Sequence, residues 1–471
     1  MRANLYLGSK EIIKENYTPR HSPYSGEIVS MAALCDASDA LQALEVAKIA
    51  SKEAAKASLA RRCAWLEDVA SKLEVMREEM AKTITDEVGK PIAFARLEVD
   101  RCIETIRLSS ETMRTMGGET FSTDATFSGK KSIAYYTRVP AGVVVAITPF
   151  NFPLNLVAHK LAPALVAGNA VVLKPTPEAP FTAYKFAKLF IESEFATKDA
   201  LSVVYGDAEV GSALVKSDIP RVISFTGSVQ VGEIITKSAG IKKISLELGG
   251  NAATYIDESA DLSLAASRCA VGAFSNSGQV CISLQRIYVN AKIYDEFAIK
   301  LADESAKLKV GSPYDDETFM GPLIDKEAVS RAMNWVKSAI DEGAVPLLEP
   351  KADERIFYPC VMSEVRDEMA IVCEEVFAPI VSLVRVGSFD EAVAKMNNSP
   401  YGLQFSIFTN SLSLAKRSIE EFECGGVVVN DIPTLRFDIQ PYGGVKLSGV
   451  GREGPRFAIE ELSEIKSVVI C

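Results

Sequence analysis

The chain runs to 471 residues yet has only two histidines, His21 and His159, and no Cys-x-x-C pair. Zinc sites are built from clusters of such ligands, so no metal site is expected. No apolar run approaches the ~20 residues that cross a bilayer. The opening Met1-Arg2-Ala3-Asn4-Leu5-Tyr6 lacks the apolar core of a secretory signal. Excess positive charge is also missing. The formal net charge is −11, whereas nucleic-acid backbones and anionic membranes are gripped by basic surfaces. Neither is expected as a partner. The nine cysteines are odd in number and scattered, which is not the pattern of a disulfide scaffold. There is no internal repeat and no low-complexity linker. What is left is the profile of a large cytoplasmic enzyme with two or three lobes.

The residues to about Glu119 read as mostly helical. Ser38 is placed to cap a helix through Leu41, Leu44 and Ala47, and Ile92 to Ser110 has helical spacing after Gly89-Lys90-Pro91. From Ser132 to Arg138 the residues alternate, as in a hairpin strand. Then the rhythm changes. Val143 to Ile147, Ala170 to Leu173, Leu201 to Val204 and Val222 to Phe225 are short apolar runs, each followed by a helical stretch. Such alternation predicts a parallel sheet covered on both faces, with ligands beyond the carboxyl ends of its strands. A second alternating block runs from about Ala252 past Asn430, and Ser463 to Ile470 reads as a final strand. Two α/β blocks with a cleft between them are the expected architecture.

Three short stretches suggest chemistry. Cys281 sits in Ser275-Asn276-Ser277-Gly278-Gln279-Val280-Cys281. Most free cysteines are core residues, but these small polar neighbours suggest a loop that exposes a thiolate, the reactive form. Glu247 stands between leucines in Leu246-Glu247-Leu248-Gly249-Gly250. It is either a solvated turn residue or a carboxyl whose apolar surroundings raise its pKa towards that of a general base. Asn151, in Thr148-Pro149-Phe150-Asn151-Phe152-Pro153, is either a turn former or an amide donor for an oxyanion.

Together these stretches resemble the aldehyde dehydrogenase superfamily. Leu173-Lys174-Pro175, Phe225-Thr226-Gly227-Ser228, Glu374-Glu375-Val376-Phe377-Ala378-Pro379 and Pro441-Tyr442-Gly443-Gly444-Val445-Lys446-Leu447-Ser448-Gly449 join them in the family's order. The resemblance covers nearly the whole chain. It implies an α/β fold with a Rossmann-like parallel-sheet domain for NAD or NADP at 1–120 and 140–248. It further implies an α/β catalytic domain at 249–450 and oligomerisation strands at 121–139 and 463–471. It also implies that Cys281 attacks the aldehyde carbon, that Asn151 and the Cys281 N–H hold the oxyanion, and that Glu247 activates water to hydrolyse a thioester. Cofactor contacts carry over to Lys174 at the adenosine ribose, Ser228 at the pyrophosphate, and Glu375 with Phe377 at the nicotinamide ribose. Thr148, Pro149, Phe150, Thr176, Pro177, Glu178, Gly211, Phe225, Thr226, Gly227, Leu248 and Gly249 complete the set. The glycines Gly227 and Gly232 are not followed by Gly-Lys-Ser/Thr, so this is no nucleoside-triphosphate loop.

The chain also departs from the pattern. Many NAD-preferring relatives place a Glu three residues after the lysine; here that position is Pro177, with Glu178 next. The choice between NAD and NADP stays open. The substrate tunnel is expected to involve Phe152, Val280 and Ile282, with Arg101, His159 and Arg436 at positions that are often apolar or aromatic in relatives. Taken separately, these three are ordinary ion-pair or buried polar residues. Together they favour a small polar or anionic aldehyde, since Arg suits carboxylate and phosphate. The chain looks most like the branch with lactaldehyde and non-phosphorylating glyceraldehyde-3-phosphate dehydrogenases, with phosphonoacetaldehyde and succinic semialdehyde enzymes as neighbours.

Other classes were weighed. A coenzyme A-acylating relative would lack the Glu247 base, and a non-catalytic protein with the same fold tends to lose the nucleophile. A redox-sensing thiol would want a resolving cysteine nearer than Cys269. Open edges at the strands near 121–138 and 463–471 predict a homodimer or homotetramer.

Overall fold

Runs of β-branched and small apolar residues set the first sheet. The computed structural model describes residues 1–471 and pairs Val143–Ile147, Ala170–Lys174, Leu201–Val203, Val222–Thr226 and Lys243–Glu247 as parallel strands. Val143–Ile147 lies in the middle. The chain builds outward from it on one side through Ala170–Lys174 and Leu201–Val203, then returns to its other side with Val222–Thr226. That reversal opens a crevice at the carboxyl ends of the strands. Thr148, Lys174, Thr226 and Glu247 all stand at those ends.

The helix Asn155–Val166 follows the central strand. All twelve of its residues are buried, the polar Asn155, His159 and Lys160 among them. Its first amides would be stranded in the core, but Glu98 accepts the N–H groups of Leu154 and Asn155 at 2.9 and 3.1 Å. Glu98 comes from the helix Ile92–Thr115, so one buried carboxylate fixes the start of the helix that follows Asn151.

The second sheet is built in the same way. Ala252–Ile256, Leu284–Asn290, Cys360–Ser363, Ile380–Val386, Gln404–Phe408 and Gly426–Val429 run parallel, with Val345–Pro346 antiparallel at one edge. Each lobe has its own apolar core, and the cleft lies between them.

Several expectations need correction. The N-terminal part is not only helical: five short strands lie before Cys35. They are two to six residues long with mixed exposure, so no apolar period marks them. The first helix is capped by Asp36, with Asp39 closing a reciprocal capping box, while Ser38 lies inside the helix. The hairpin expected over 121–138 is reduced to a single antiparallel bridge, Thr120 to Tyr135, with the Phe121 N–H donating to Ala134 O at 3.2 Å. On its other side Ile133–Pro140 pairs antiparallel along its whole length with Ser463–Ile470, so the two expected edges meet within one chain. Near the end, Gly449–Val450 crosses back to pair with Lys243–Glu247 in the first sheet.

Candidate active site

Cys281 is delivered by an unusual turn. After the helix Leu262–Phe274, the residues Asn276, Ser277 and Gly278 take φ of 50°, 55° and 71° in succession. Left-handed backbone is costly for non-glycine residues and persists only where neighbours enforce it. Here Ser277 Oγ donates to Gly321 O at 2.9 Å, and the Ile324 N–H donates to Gln279 Oε1 at 2.9 Å. At Gly278 a Cβ would stand 2.3 Å from Ala378 O, so only glycine fits. The polar stretch before Cys281 is therefore a buried, pinned loop.

The thiol faces the first lobe across a cavity of about 940 Å³. Asn151 and Glu247 line the same cavity from the ends of the first sheet. Asn151 Oδ1 accepts the Phe152 N–H at 3.1 Å, which turns the side-chain NH₂ outward with no protein acceptor. Glu247 is only 3 % exposed and neither carboxyl oxygen has a hydrogen-bond partner. Burial, and then the neighbouring charge of Glu453, push its carboxyl well above the ordinary range. Burial also pushes the Cys281 thiol up to about 12, against the pull of Tyr442, whose hydroxyl lies 3.1 Å from Sγ, and of Arg436. At rest both groups hold their protons.

The expected cofactor residues fall in two groups. Pro149, Phe150, Thr226, Gly227, Ser228, Leu248, Gly249, Glu375 and Phe377 line the cavity. Glu375 Oε1 accepts the Gly250 N–H at 3.0 Å, and a Cβ on Gly249 would stand 2.3 Å from its other oxygen. Burial lifts this carboxyl to about 7, with Gly250 and Arg331 opposing. Phe377, at φ 48°, sets its ring edge-on to Phe150 at 5.9 Å. Ser228 caps the helix Val229–Ser238, whose N-terminus faces the cleft.

Thr148, Lys174, Thr176, Pro177, Glu178, Gly211 and Phe225 do not line this cavity. Lys174 is buried with no acceptor for its ammonium; burial lowers its pKa, and Glu178 and Asp207 resist. Its stem runs beside Gly211, where a Cβ would lie 3.7 Å from Cε. Thr176 Oγ1 donates to Glu178. Phe225 packs its ring on Gly227, where a Cβ would meet it at 2.5 Å.

Of the expected substrate residues, Arg101, Phe152, Val280, Ile282 and Arg436 line the cavity. His159 does not. It lies behind the wall, 2 % exposed, with Nε2 3.0 Å from Asp438 Oδ1, so the tunnel-facing expectation is corrected. Burial and the Arg436 charge lower its pKa, so the ring is neutral at neutral pH. Arg436 stacks 3.7 Å above the Tyr442 ring and donates to Glu453 at 3.0 Å.

The family model described as "Aldehyde dehydrogenase family" matches residues 12–468. The chain belongs to this family. It is 45 % identical over 395 residues to a 3-sulfolactaldehyde dehydrogenase from Priestia aryabhattai, covering 84 % of this chain and 83 % of that protein. It is 38 % identical over 453 residues to a lactaldehyde dehydrogenase from Methanococcus aeolicus, covering 95 % and 96 %. Glyceraldehyde-3-phosphate dehydrogenase GapN from Methanocaldococcus jannaschii, solved with NADP, superposes with a TM-score of 0.93 at 36 % identity, covering 97 % of this chain and 99 % of that one. The enzyme is thus an oxidoreductase of the aldehyde dehydrogenase family.

The sequence alone does not mark four residues of this aldehyde dehydrogenase site. Tyr442 lies inside the motif Pro441 to Gly449, which by itself gives it no role. Glu453 and Asp438 become visible only through partners far away in the chain, Asp438 and Arg101 being 337 residues apart, whereas Lys90 is held by Glu98, eight residues on.

Proposed function

We propose that this enzyme oxidises a small hydroxylated aldehyde with an anionic far end to its acid, using NAD or NADP. The observation that carries it is the meeting of an attacking thiol, a free amide donor and an unpaired buried carboxyl around one cavity. The guanidinium groups of Arg101 and Arg436 stand in the same wall. Cys281 releases its proton to solvent in the cavity and attacks the aldehyde carbon as a thiolate, the carbonyl pair moving onto oxygen. The Asn151 amide and the Cys281 N–H hold the oxyanion. A dinucleotide held here would supply the hydride acceptor, and loss of that hydride from the aldehyde carbon would leave Cys281 as a thioester. Glu247 then takes a proton from water, which hydrolyses the thioester and frees the acid.

The chain's own groups fit such a dinucleotide. Lys174 offers an unpartnered ammonium, the helix after Ser228 offers N-terminal amides, and Glu375 beside Gly249 offers a carboxylate at a narrow backbone approach. The substrate class draws support from Arg436, whose Nε is buried without a partner, and from the names of the two curated relatives. Nine unpaired cysteines fit a reducing cytoplasm. No helix is long and apolar enough to cross a membrane. The ribbon of Ile133–Pro140 and Ser463–Ile470, with Ile465, Val469 and Ile470 more than half exposed, supports a dimer or dimer of dimers; a monomer on a sizing column would refute it.

The test is NAD(P)H production with each cofactor separately, using 3-sulfolactaldehyde, lactaldehyde, glycolaldehyde, succinic semialdehyde and hexanal, with Cys281→Ala as blank. A polar or anionic aldehyde should lead hexanal by more than tenfold in kcat/KM. If hexanal leads, the substrate reading is wrong.

A further inference from the structure

The part of the cavity wall that carries Lys90, Arg101 and Arg436 is not simply cationic. Each of the three already holds a carboxylate. Asp438 takes four donors. Its Oδ1 accepts from Arg101 Nη2 at 2.8 Å, His159 Nε2 at 3.0 Å and Asn155 Nδ2 at 3.2 Å, and its Oδ2 accepts from Arg101 Nε at 2.9 Å. Against the effect of burial, His159 and Arg101 hold its carboxyl well below the usual range, so it stays ionised. Glu453 accepts from Arg436 Nη2 at 3.0 Å and from Lys160 Nζ at 3.3 Å. Lys90 pairs with Glu98 and sits 4.0 Å above the Phe152 ring.

The charge count follows. Four cations (Lys90, Arg101, Lys160, Arg436) face three carboxylates (Glu98, Asp438, Glu453), and His159 is neutral. One positive charge is in excess. The nearby Arg268 is paired with Asp431 at 2.7 Å and adds nothing. The donors left over are few: Nη1 of Arg101, and Nε and Nη1 of Arg436, have no acceptor in the protein. That suits one compact anionic group, held by two guanidinium edges.

We propose that this pocket selects an aldehyde whose far end carries a single negative charge, a sulfonate or carboxylate, over one carrying two, and that Asp438 sets this limit as a positioning residue. The proposal rests on the anionic-aldehyde reading above. A phosphate monoester is mostly dianionic at neutral pH, its second pKa being about 6. Its second charge would be buried beside Glu453 and Asp438 with no cation to meet it, a costly arrangement. A sulfonate carries one charge at every working pH.

The experiment measures kcat/KM for 3-sulfolactaldehyde, glyceraldehyde-3-phosphate and uncharged lactaldehyde with wild type and with Asp438→Asn. Wild type should prefer the sulfonate to the phosphate by at least tenfold. Asp438→Asn should shrink that ratio at least tenfold, mainly through KM for the phosphate. A general packing defect would lower both substrates together and leave the ratio in place, which would overturn the role of Asp438. If the variant does not fold, competitive inhibition of wild type decides: propanesulfonate should bind at least tenfold tighter than propyl phosphate. Equal or reversed preference in wild type overturns the proposal while keeping the anionic-aldehyde reading. If lactaldehyde beats both charged aldehydes, that reading falls and the proposal with it.

Discussion

Glu247 and Glu453 are both buried carboxyls in the wall of one cavity, 3 % and 4 % exposed, and they behave in opposite ways. Glu247 has no donor on either oxygen. Glu453 has Lys160, Arg436 and Thr226. Burial would raise both. For Glu453 the charges of Lys160 and Arg436 overcome it and hold the carboxyl at about 2, so it is a fixed anion. For Glu247 that same anion adds to the burial effect and keeps the proton on. The difference sets a carboxyl that keeps its proton beside a fixed anion in the same wall. Burying a polar group without a partner costs about 1–3 kcal/mol, and natural proteins rarely leave one so. Here both oxygens of Glu247 go unsatisfied, while Lys90, Arg101 and Arg436 in the same wall each hold a carboxylate.

The largest break in that contrast is loss of the thiol. Cys281→Ala should reduce turnover at least ~10⁴-fold while leaving the fold intact, because no other group in the wall can form the acyl bond. Residual turnover within tenfold of wild type would refute the assignment.

Glu247→Gln should come next, with steady-state turnover down ~10²–10⁴-fold. The first turnover should survive as a burst of NAD(P)H, since only hydrolysis needs the base. In wild type the hydrolytic rate should rise with pH as Glu247 loses its raised proton, and that limb should vanish in the variant. Stability gives a second readout. The folded carboxyl has the higher pKa, so the native state binds the extra proton. Its contribution is complete below the unfolded pKa of about 4.3 and is lost as pH rises through the folded value. Glu247→Gln should therefore match wild type in acid and exceed it in Tm at alkaline pH. A lower Tm there would mean that the carboxylate is paired after all.

How much of this could be read from the sequence depends on distance along the chain. Cys281, Glu247 and Asn151 announced themselves because each sits in a short run whose neighbours are odd for a core. The reason is now visible: Gly278 is needed for close approach, and the residues before Cys281 hold a left-handed turn. The alternating strands were legible for the same local reason. The His159 environment was not, because Asp438 and Arg436, which decide it, lie more than 270 residues further on. The pairing of Ile133–Pro140 with Ser463–Ile470 was hidden in the same way. Hydrophobic rhythm marks strands, but it does not name a partner at the other end of the chain.

Asn151→Ala should fall below these, costing ~10²–10³ in kcat with little change in KM, as removal of one oxyanion donor does. An equal loss in substrate affinity would place Asn151 in ground-state binding.

Glu453→Gln should have the smallest effect on rate and tests the contrast most directly. The amide keeps an acceptor for Arg436 and Lys160 but removes the fixed negative charge. Two consequences follow from Coulomb's law at short range in a poorly hydrated wall. The repulsion that helps hold the proton on Glu247 disappears, and the positive charges of Arg436 and Lys160 are no longer neutralised. Both changes favour the ionised form of Glu247. The limb of the pH–rate profile that reports Glu247 should therefore move to lower pH, with the plateau rate within about tenfold of wild type. A limb that stays in place would show that burial alone sets the proton on Glu247. A limb that moves to higher pH would show that Glu453 helps the base to ionise, and that the two carboxyls do not oppose each other in the way their surroundings imply.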